Sequence, residues 1–298
     1  MSISNVIYSG MNVDQRFAAS FEPNLYAEAW MIPEVTYSSK YQRGPGGGYL
    51  VHKFDKIASQ FTKPGAPGRD FNHQNATDTL IPIGLTNNFM MSRKLYGVAI
   101  NSIEANAAEE LLADTTKQAK EAINGSGLAA LVNGATALTA KGAVDKDTVK
   151  DAILEARATL STKGASSAKV ILASPETYSA FLAAAGKDFV TARNDIIQGT
   201  GVIRDWYGFT IIEAPQLGTS VDYTYFDHAG TENTVAAADL NKVNFLMYDY
   251  RAFSALTNLE VFRLIEGGKD FNGVLAQVEV NMGYRVTNPE LVYKHLKA

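Results

Sequence analysis

Four histidines, His52, His73, His228 and His295, are the first residues to weigh for chemistry in this 298-residue chain. Imidazole is the side chain that serves as base or metal ligand near neutral pH. No two of them stand at the i, i+4 spacing that puts a ligand pair on one helix face, so each is expected to be solvated or held by a structural hydrogen bond. Asp227 and His228 are adjacent, and neighbours in a strand point to opposite sides, which prevents a dyad. Asp147 and Asp151 are expected to share a helix face with Lys146 and Lys150 beside them, which fits a solvated charged surface better than general acid–base work. Cysteine is absent, and with it go a thiolate nucleophile, a disulfide framework and every cysteine-ligated metal site. There is no Gly-x-Ser-x-Gly elbow and no GxGxxG after a strand. Arg43-Gly-Pro-Gly-Gly-Gly48 has the glycines of a phosphate cradle, but no Gly-Lys-Ser/Thr closes it, Pro45 removes a donor, and strand-like residues follow. Asn75-Ala-Thr77 and Asn124-Gly-Ser126 fit the glycosylation pattern, yet no secretory signal accompanies them. No catalytic residue, cofactor or metal is expected, and the chain reads as non-enzymatic.

The composition narrows the class further. With 46% hydrophobic residues and a net charge of −4, the bulk of the chain is not disordered. Its 19% charged residues fall below the roughly 25% of an average globular domain. Together with 14 Tyr, 14 Phe and 24 Gly, this predicts a neutral, aromatic surface suited to being covered. Residues 1–94 hold nine Lys/Arg against seven Asp/Glu, and residues 95–298 hold eighteen against twenty-four. No run of basic residues occurs, so a groove gripping nucleic-acid phosphates is not indicated. No apolar run reaches the ~18 residues of a membrane span, and the expected place of synthesis and first action is a cytoplasm.

These features need elements to carry them. Residues 1–40 read as an extended arm in which Phe17, Phe21, Tyr26, Trp30 and Tyr37 are anchors, laid either over its own core or over a neighbouring copy. Strands at Tyr49 to Phe54 and Thr79 to Leu85 flank a long polar stretch, and loops of that length are uncommon unless functional or disordered. Pro82 in the return strand argues for an edge or a bulge, and the hairpin is expected to project from the body. A capping-box-like Asn101 and Glu104 open a helix, Ser102 to Ile123, about 33 Å long, with Asn124-Gly125 as its stop. Gly125 to Gly142 reads as a boundary. A second helix from Asp145 buries Val149, Ala152, Ile153, Ala156 and Leu160. Lys169 to Ala173 reads as a buried strand, and Ser174-Pro175 opens a third helix through Ala185. Beyond Gly186 the signals are β: Gly208 to Glu213, Tyr223 to Phe226, Val243 to Tyr248, Leu259 to Leu264, and Val274 to Val286. In the last, seven alternate apolar residues make a strand of about 43 Å, far beyond the usual ~5–6 residues.

The order of arm, long hairpin loop, spine-like helix, α/β subdomain and closing long strands resembles the major capsid protein of tailed bacteriophages, a fold shared with herpesvirus capsid floors and encapsulin shells. Val170-Ile-Leu-Ala-Ser-Pro-Glu-Thr-Tyr-Ser-Ala-Phe-Leu182 is similar to the strand and helix of that family's axial domain. Gly201-Val-Ile-Arg-Asp-Trp-Tyr-Gly-Phe-Thr-Ile-Ile-Glu213 is similar to its glycine-hydrophobic-basic stretch, and Gly283-Tyr-Arg-Val-Thr-Asn-Pro-Glu290 to its closing strand and turn. The resemblance implies an α+β capsid fold: an N-terminal arm (1–40), an extended loop (41–92), a peripheral domain (93–140 with 250–285) and an axial domain (141–249 with 286–298). It implies a virion protein whose copies form hexamers and pentamers of an icosahedral head around double-stranded DNA, assembled in a bacterial cytoplasm. Implied partners are other copies, a separate scaffolding protein, a portal and decoration proteins. Subunit contacts are expected at Phe17, Phe21, Trp30, Tyr37, Lys53, Lys56, Phe61, Lys63, Arg69 and Phe71. An encapsulin-like protein-cargo shell, a soluble α/β enzyme and a phage tail component stand as alternatives.

Overall fold

The computed structural model describes residues 42–43, 49–54, 77–96, 107–166, 168–188, 202–268 and 271–297. The predicted pair of strands is present: Gln42–Arg43 (β1), Tyr49–Phe54 (β2) and Asp78–Ile83 (β3) form an antiparallel sheet in that order, with Phe54 opposite Asp78. Pro82 pairs with Leu50 from the edge strand β3, where a missing N–H interrupts no ladder.

A second antiparallel sheet holds Phe253–Gly268 (β12), Phe271–Val286 (β13) and Asn87–Tyr96 (β4), with β13 in the middle. β12 and β13 are 16 residues each, about 50 Å at 3.3 Å per residue. The alternation read from the sequence is their packing pattern. Ala276, Val278, Val280, Met282 and Tyr284 are buried, whereas Gln277, Glu279, Asn281 and Arg285 stay half-buried on the other face.

Helix α1, Ala107–Gly134, lies on the apolar face of that sheet, sharing a core in which Ala119 and Ile123 meet Val278, Val280 and Met282. Tyr284 sends its hydroxyl to the Ile123 carbonyl at 3.0 Å, and Arg93 of β4 pairs with Asp114 of the helix. The expected stop at Asn124-Gly125 is wrong, because the helix runs on to Gly134. A glycine inside a helix costs up to about 1 kcal/mol relative to alanine. Here the missing side chain is the seat of the Tyr223 ring, since a Cβ on Gly125 would lie 2.2 Å from Tyr223 Cε1. Continued burial of Leu128, Ala129, Leu131 and Val132 offsets the weak propensity. The boundary expected at 125–142 is therefore the last turns of α1 followed by strand Thr136–Lys141 (β5). The proposed helix start at Asn101 and Glu104 lies outside the described residues.

Five further strands, Lys169–Ala173 (β6), Val202–Trp206 (β7), Phe209–Glu213 (β8), Val243–Asp249 (β11) and Val292–Leu296 (β14), join β5 in a six-stranded sheet ordered β5-β14-β11-β6-β8-β7. Two pairs, β6 with β8 and β5 with β14, are parallel. Both faces are covered, which is why these strands read as continuous apolar runs. Ile171, Ala173, Phe245 and Met247 face helices Val149–Thr162 (α2) and Pro175–Asp188 (α3), while Val170, Leu172, Leu246 and Tyr248 join the core under α1. All seven residues of β11 are buried.

Local chemistry opens the two helices. Asp145 accepts the N–H groups of Asp147 and Thr148, each at 2.9 Å, and the Thr148 bond is the main cause holding its carboxyl below the usual range. Asp147 thus lies in the turn before α2 and does not share a helix face with Asp151. Ser174 Oγ accepts the Thr177 N–H at 3.4 Å, the cap expected at Ser174-Pro175. A small hairpin, Tyr223–Phe226 (β9) with Glu232–Val235 (β10), packs on α1. Asp227 and His228 stand in its turn instead of in a strand, because Asp227 Oδ1 collects the N–H groups of Ala229 at 2.8 Å and Thr231 at 2.9 Å.

Candidate functional site

The structure separates the candidate chemical residues. His52 lies in β2, His73 is outside the described residues, and His228 is exposed in the β9–β10 turn. Of the two histidines whose side chains are described, His295 is the one built into a network. It is 5% exposed on β14, its ring stacked on Phe245 at 4.9 Å and 11°. Asn244 sits where the β11–β14 register shifts, and its Nδ2 donates to His295 Nδ1 at 3.0 Å and to the Gly142 carbonyl at 2.6 Å. Thr177 Oγ1 donates to Asn244 Oδ1 at 3.5 Å, and Ser174 Oγ donates to Thr177 at 3.0 Å.

Hydroxyl, amide and imidazole therefore stand in line, but they cannot act as a nucleophile and base. An amide separates the serine from the histidine, whose Nδ1 lone pair is consumed by Asn244. Ser174 is 2% exposed, so no substrate reaches it. The network is a staple: it ties the start of α3, the bulge of β11, β14 and the turn after β5. Its residues come from four places in the chain, and nothing in their spacing marks them as a group.

Burial holds the His295 imidazole below its ordinary pKa, with a smaller opposing pull from Glu155. The folded state thus binds this proton less readily than the unfolded chain. Stability is unaffected well above the unfolded value of about 6.5 and falls as the pH drops through it. The urea midpoint of the unassembled chain should decline from pH 7 to pH 5, and less steeply in His295→Gln. Equal slopes for both proteins would count against this account.

Among the described residues, no group of three or more His, Asp or Glu is placed to hold a metal, and no helix is long and apolar enough to cross a membrane. Of the residues expected at subunit contacts, Lys53 is exposed on β2. Phe17, Phe21, Trp30, Tyr37, Lys56, Phe61, Lys63, Arg69 and Phe71 lie outside the described residues, as does the arm.

Surface geometry is where the molecule becomes unusual. Along β3 the cover disappears: Ile83 is 1% exposed, Leu80 is 49% exposed, and residues 77–80 are exposed without alternation. The hairpin leaves the core within one strand. On β4, Met90 is 72% exposed opposite Glu279. At the base of the hairpin, Gly283 of β13 passes so close to Gly84 that a Cβ would stand 2.3 Å from the Gly84 carbonyl oxygen. An isolated glycine inside a strong strand pattern is the sequence signal for such an approach.

No protein-family model and no curated protein matches this chain. Solved structures do. A chain from the capsid of cyanophage P-SCSP1u superposes with a TM-score of 0.60 at 10% identity, over 90% of this chain and 86% of its own. A chain from Mycobacterium phage Che8 gives 0.55 at 16% identity, over 83% and 84%. One from the asymmetric unit of the bacteriophage PhiM1 mature capsid gives 0.54 at 11%, over 88% and 83%. At such identities side chains have diverged while the order and pairing of elements have not, and this chain has the fold of those phage capsid structures, the fold its sequence resembles.

Proposed function

We propose that the chain is a structural protein, the major capsid subunit of a tailed phage, whose copies assemble into a closed icosahedral shell. The observation that carries this reading is the likeness to phage capsid folds over most of both chains. The exposed β2–β3 hairpin supports it, since strands that leave a core with apolar residues such as Leu80 uncovered gain stability from a neighbour. In this reading 1–40 is the arm, 41–92 the extended loop, 93–140 with 250–285 the peripheral domain, and 141–249 with 286–298 the axial domain at capsomer centres. Extended strands add main-chain hydrogen bonds between subunits, and aromatic anchors such as Phe17, Trp30 and Phe61 bury area there. Double-stranded DNA is enclosed without being gripped, consistent with the acidic balance of residues 95–298. A separate scaffold, a portal and decoration proteins complete a virion assembled in the host cytoplasm.

Purified chain, alone and co-expressed with a candidate scaffolding protein, is expected to yield shells or megadalton particles by size-exclusion chromatography and negative-stain microscopy. A monomer or dimer that persists in both cases would overturn the proposal. Removing Ser59 to Thr77 is expected to abolish particles while leaving the circular dichroism and thermal midpoint of the unassembled chain nearly unchanged. Loss of the fold would instead make that segment part of the core.

A further inference from the structure

Three residues, Gly84 to Thr86, connect the β2–β3 hairpin to β4, and so short a joint leaves its direction to side-chain contacts. Two stand out. Asn87, the first residue of β4, is 4% exposed. Its Oδ1 accepts the Phe226 N–H at 2.7 Å and its Nδ2 donates to the Phe226 carbonyl at 2.9 Å. The amide thus takes the place of a strand partner on the outer edge of β9. Thr86 Oγ1 donates to the same carbonyl at 3.1 Å. On the other side of the joint, the half-buried Arg285 guanidinium of β13 donates to the carbonyl of Pro82, with Asp227 near enough to favour its charge. Pro82 has no N–H, so this carbonyl is a main-chain handle on that stretch of the edge strand. The tight Gly283–Gly84 crossing completes the support.

We propose that Asn87 and Arg285 are positioning residues that clamp the β2–β3 hairpin to the β9–β10 hairpin and to β13, and so set the direction in which it reaches a neighbouring subunit. The clamp itself is a property of the single chain; its consequence for shells rests on the capsid reading above. Asn87→Asp keeps the size and one of the two bonds but turns a donor into a second acceptor facing the Phe226 carbonyl. Arg285→Met removes the Pro82 bond from the open face of β13 without disturbing the apolar face. Arg285→Lys restores a donor.

The chain has no cysteine, so nitroxides can be placed at Thr79→Cys and Leu154→Cys, both exposed positions, and their separation measured by pulsed electron paramagnetic resonance on the unassembled full chain. The native background should give one narrow distance distribution. Arg285→Met and Asn87→Asp should broaden it about twofold, as expected when a segment loses its docking contacts, and Arg285→Lys should restore much of the narrow population. Because Asn87 is buried, Arg285→Met decides the matter if Asn87→Asp fails to fold. An unchanged width in Arg285→Met overturns the clamp. With label-free protein, variants that are clamp-deficient should form open or irregular particles where the native chain forms regular ones; regular particles of native diameter would overturn the link to assembly. If the native chain forms no particles at all, the capsid reading falls while the distance measurement still decides the clamp.

Discussion

Phe245→Ala is expected to destabilise the unassembled chain by about 3–5 kcal/mol, the range for truncating a fully buried aromatic residue. Phe245 is 0% exposed in the middle of the six-stranded sheet. Its ring meets Phe181 edge-on at 6.1 Å and lies flat on His295 at 4.9 Å, so both the transfer term and the aromatic contacts are lost together. Neighbouring β6 and β14 pin the backbone on both sides through hydrogen-bonded registers, which limits collapse into the cavity. Set against the roughly 5–15 kcal/mol that hold a typical domain, such a loss leaves little margin. Trp206, 6.0 Å from Phe181 in the same cluster, is a built-in fluorescence reporter for a urea titration. A loss below about 1 kcal/mol would mean that the site repacks freely, contrary to the packing described.

Gly125→Ala should go against helix propensity. In an isolated helix the change is worth up to about 1 kcal/mol in favour of alanine. In this protein the new methyl would meet Cδ1, Cε1 and Cζ of Tyr223 at 2.2–2.8 Å. Those atoms belong to the body of a ring held by β9, so relief requires the hairpin or the helix to move, at about 1–3 kcal/mol. The net expectation is a loss of up to about 2 kcal/mol by urea denaturation, the difference of these two terms. In a Tyr223→Ala background the sign should reverse, because only the propensity remains. A double-mutant cycle without coupling would show that Tyr223 does not explain the glycine.

Gly125 also marks where local reasoning ends. Strands β6, β9 and β11, the cap at Ser174, and the alternation of β13 were legible almost to the residue, since each is encoded by neighbours a few positions apart. Asn124-Gly125 carries the same kind of local stop signal, and it fails because Tyr223, far along the chain, fills the space a side chain would need. Asp227-His228 was misassigned to a strand because its carboxylate builds a turn from N–H groups up to four residues ahead, which alternation does not report. Pro82 carried a legible signal for an edge, whereas Gly283 read only as part of the closing strand.

Taken alone, the sequence determined that the chain is free of cysteine and of the recognised catalytic motifs, and that it carries α+β patterning with a long hairpin and a very long closing strand. Those conclusions follow from periodicity, capping and composition, which are local; the likeness to a capsid subunit came separately, as a resemblance in the order of elements. Only the tertiary structure decided that α1 continues beneath the β9–β10 hairpin, which partners His295 has in its buried staple, and that Asn87 bonds Phe226 while Arg285 bonds Pro82. Each of these depends on side chains from separate elements meeting within hydrogen-bond or van der Waals distance, and that proximity is created by the packing of helices and sheets far apart in the chain.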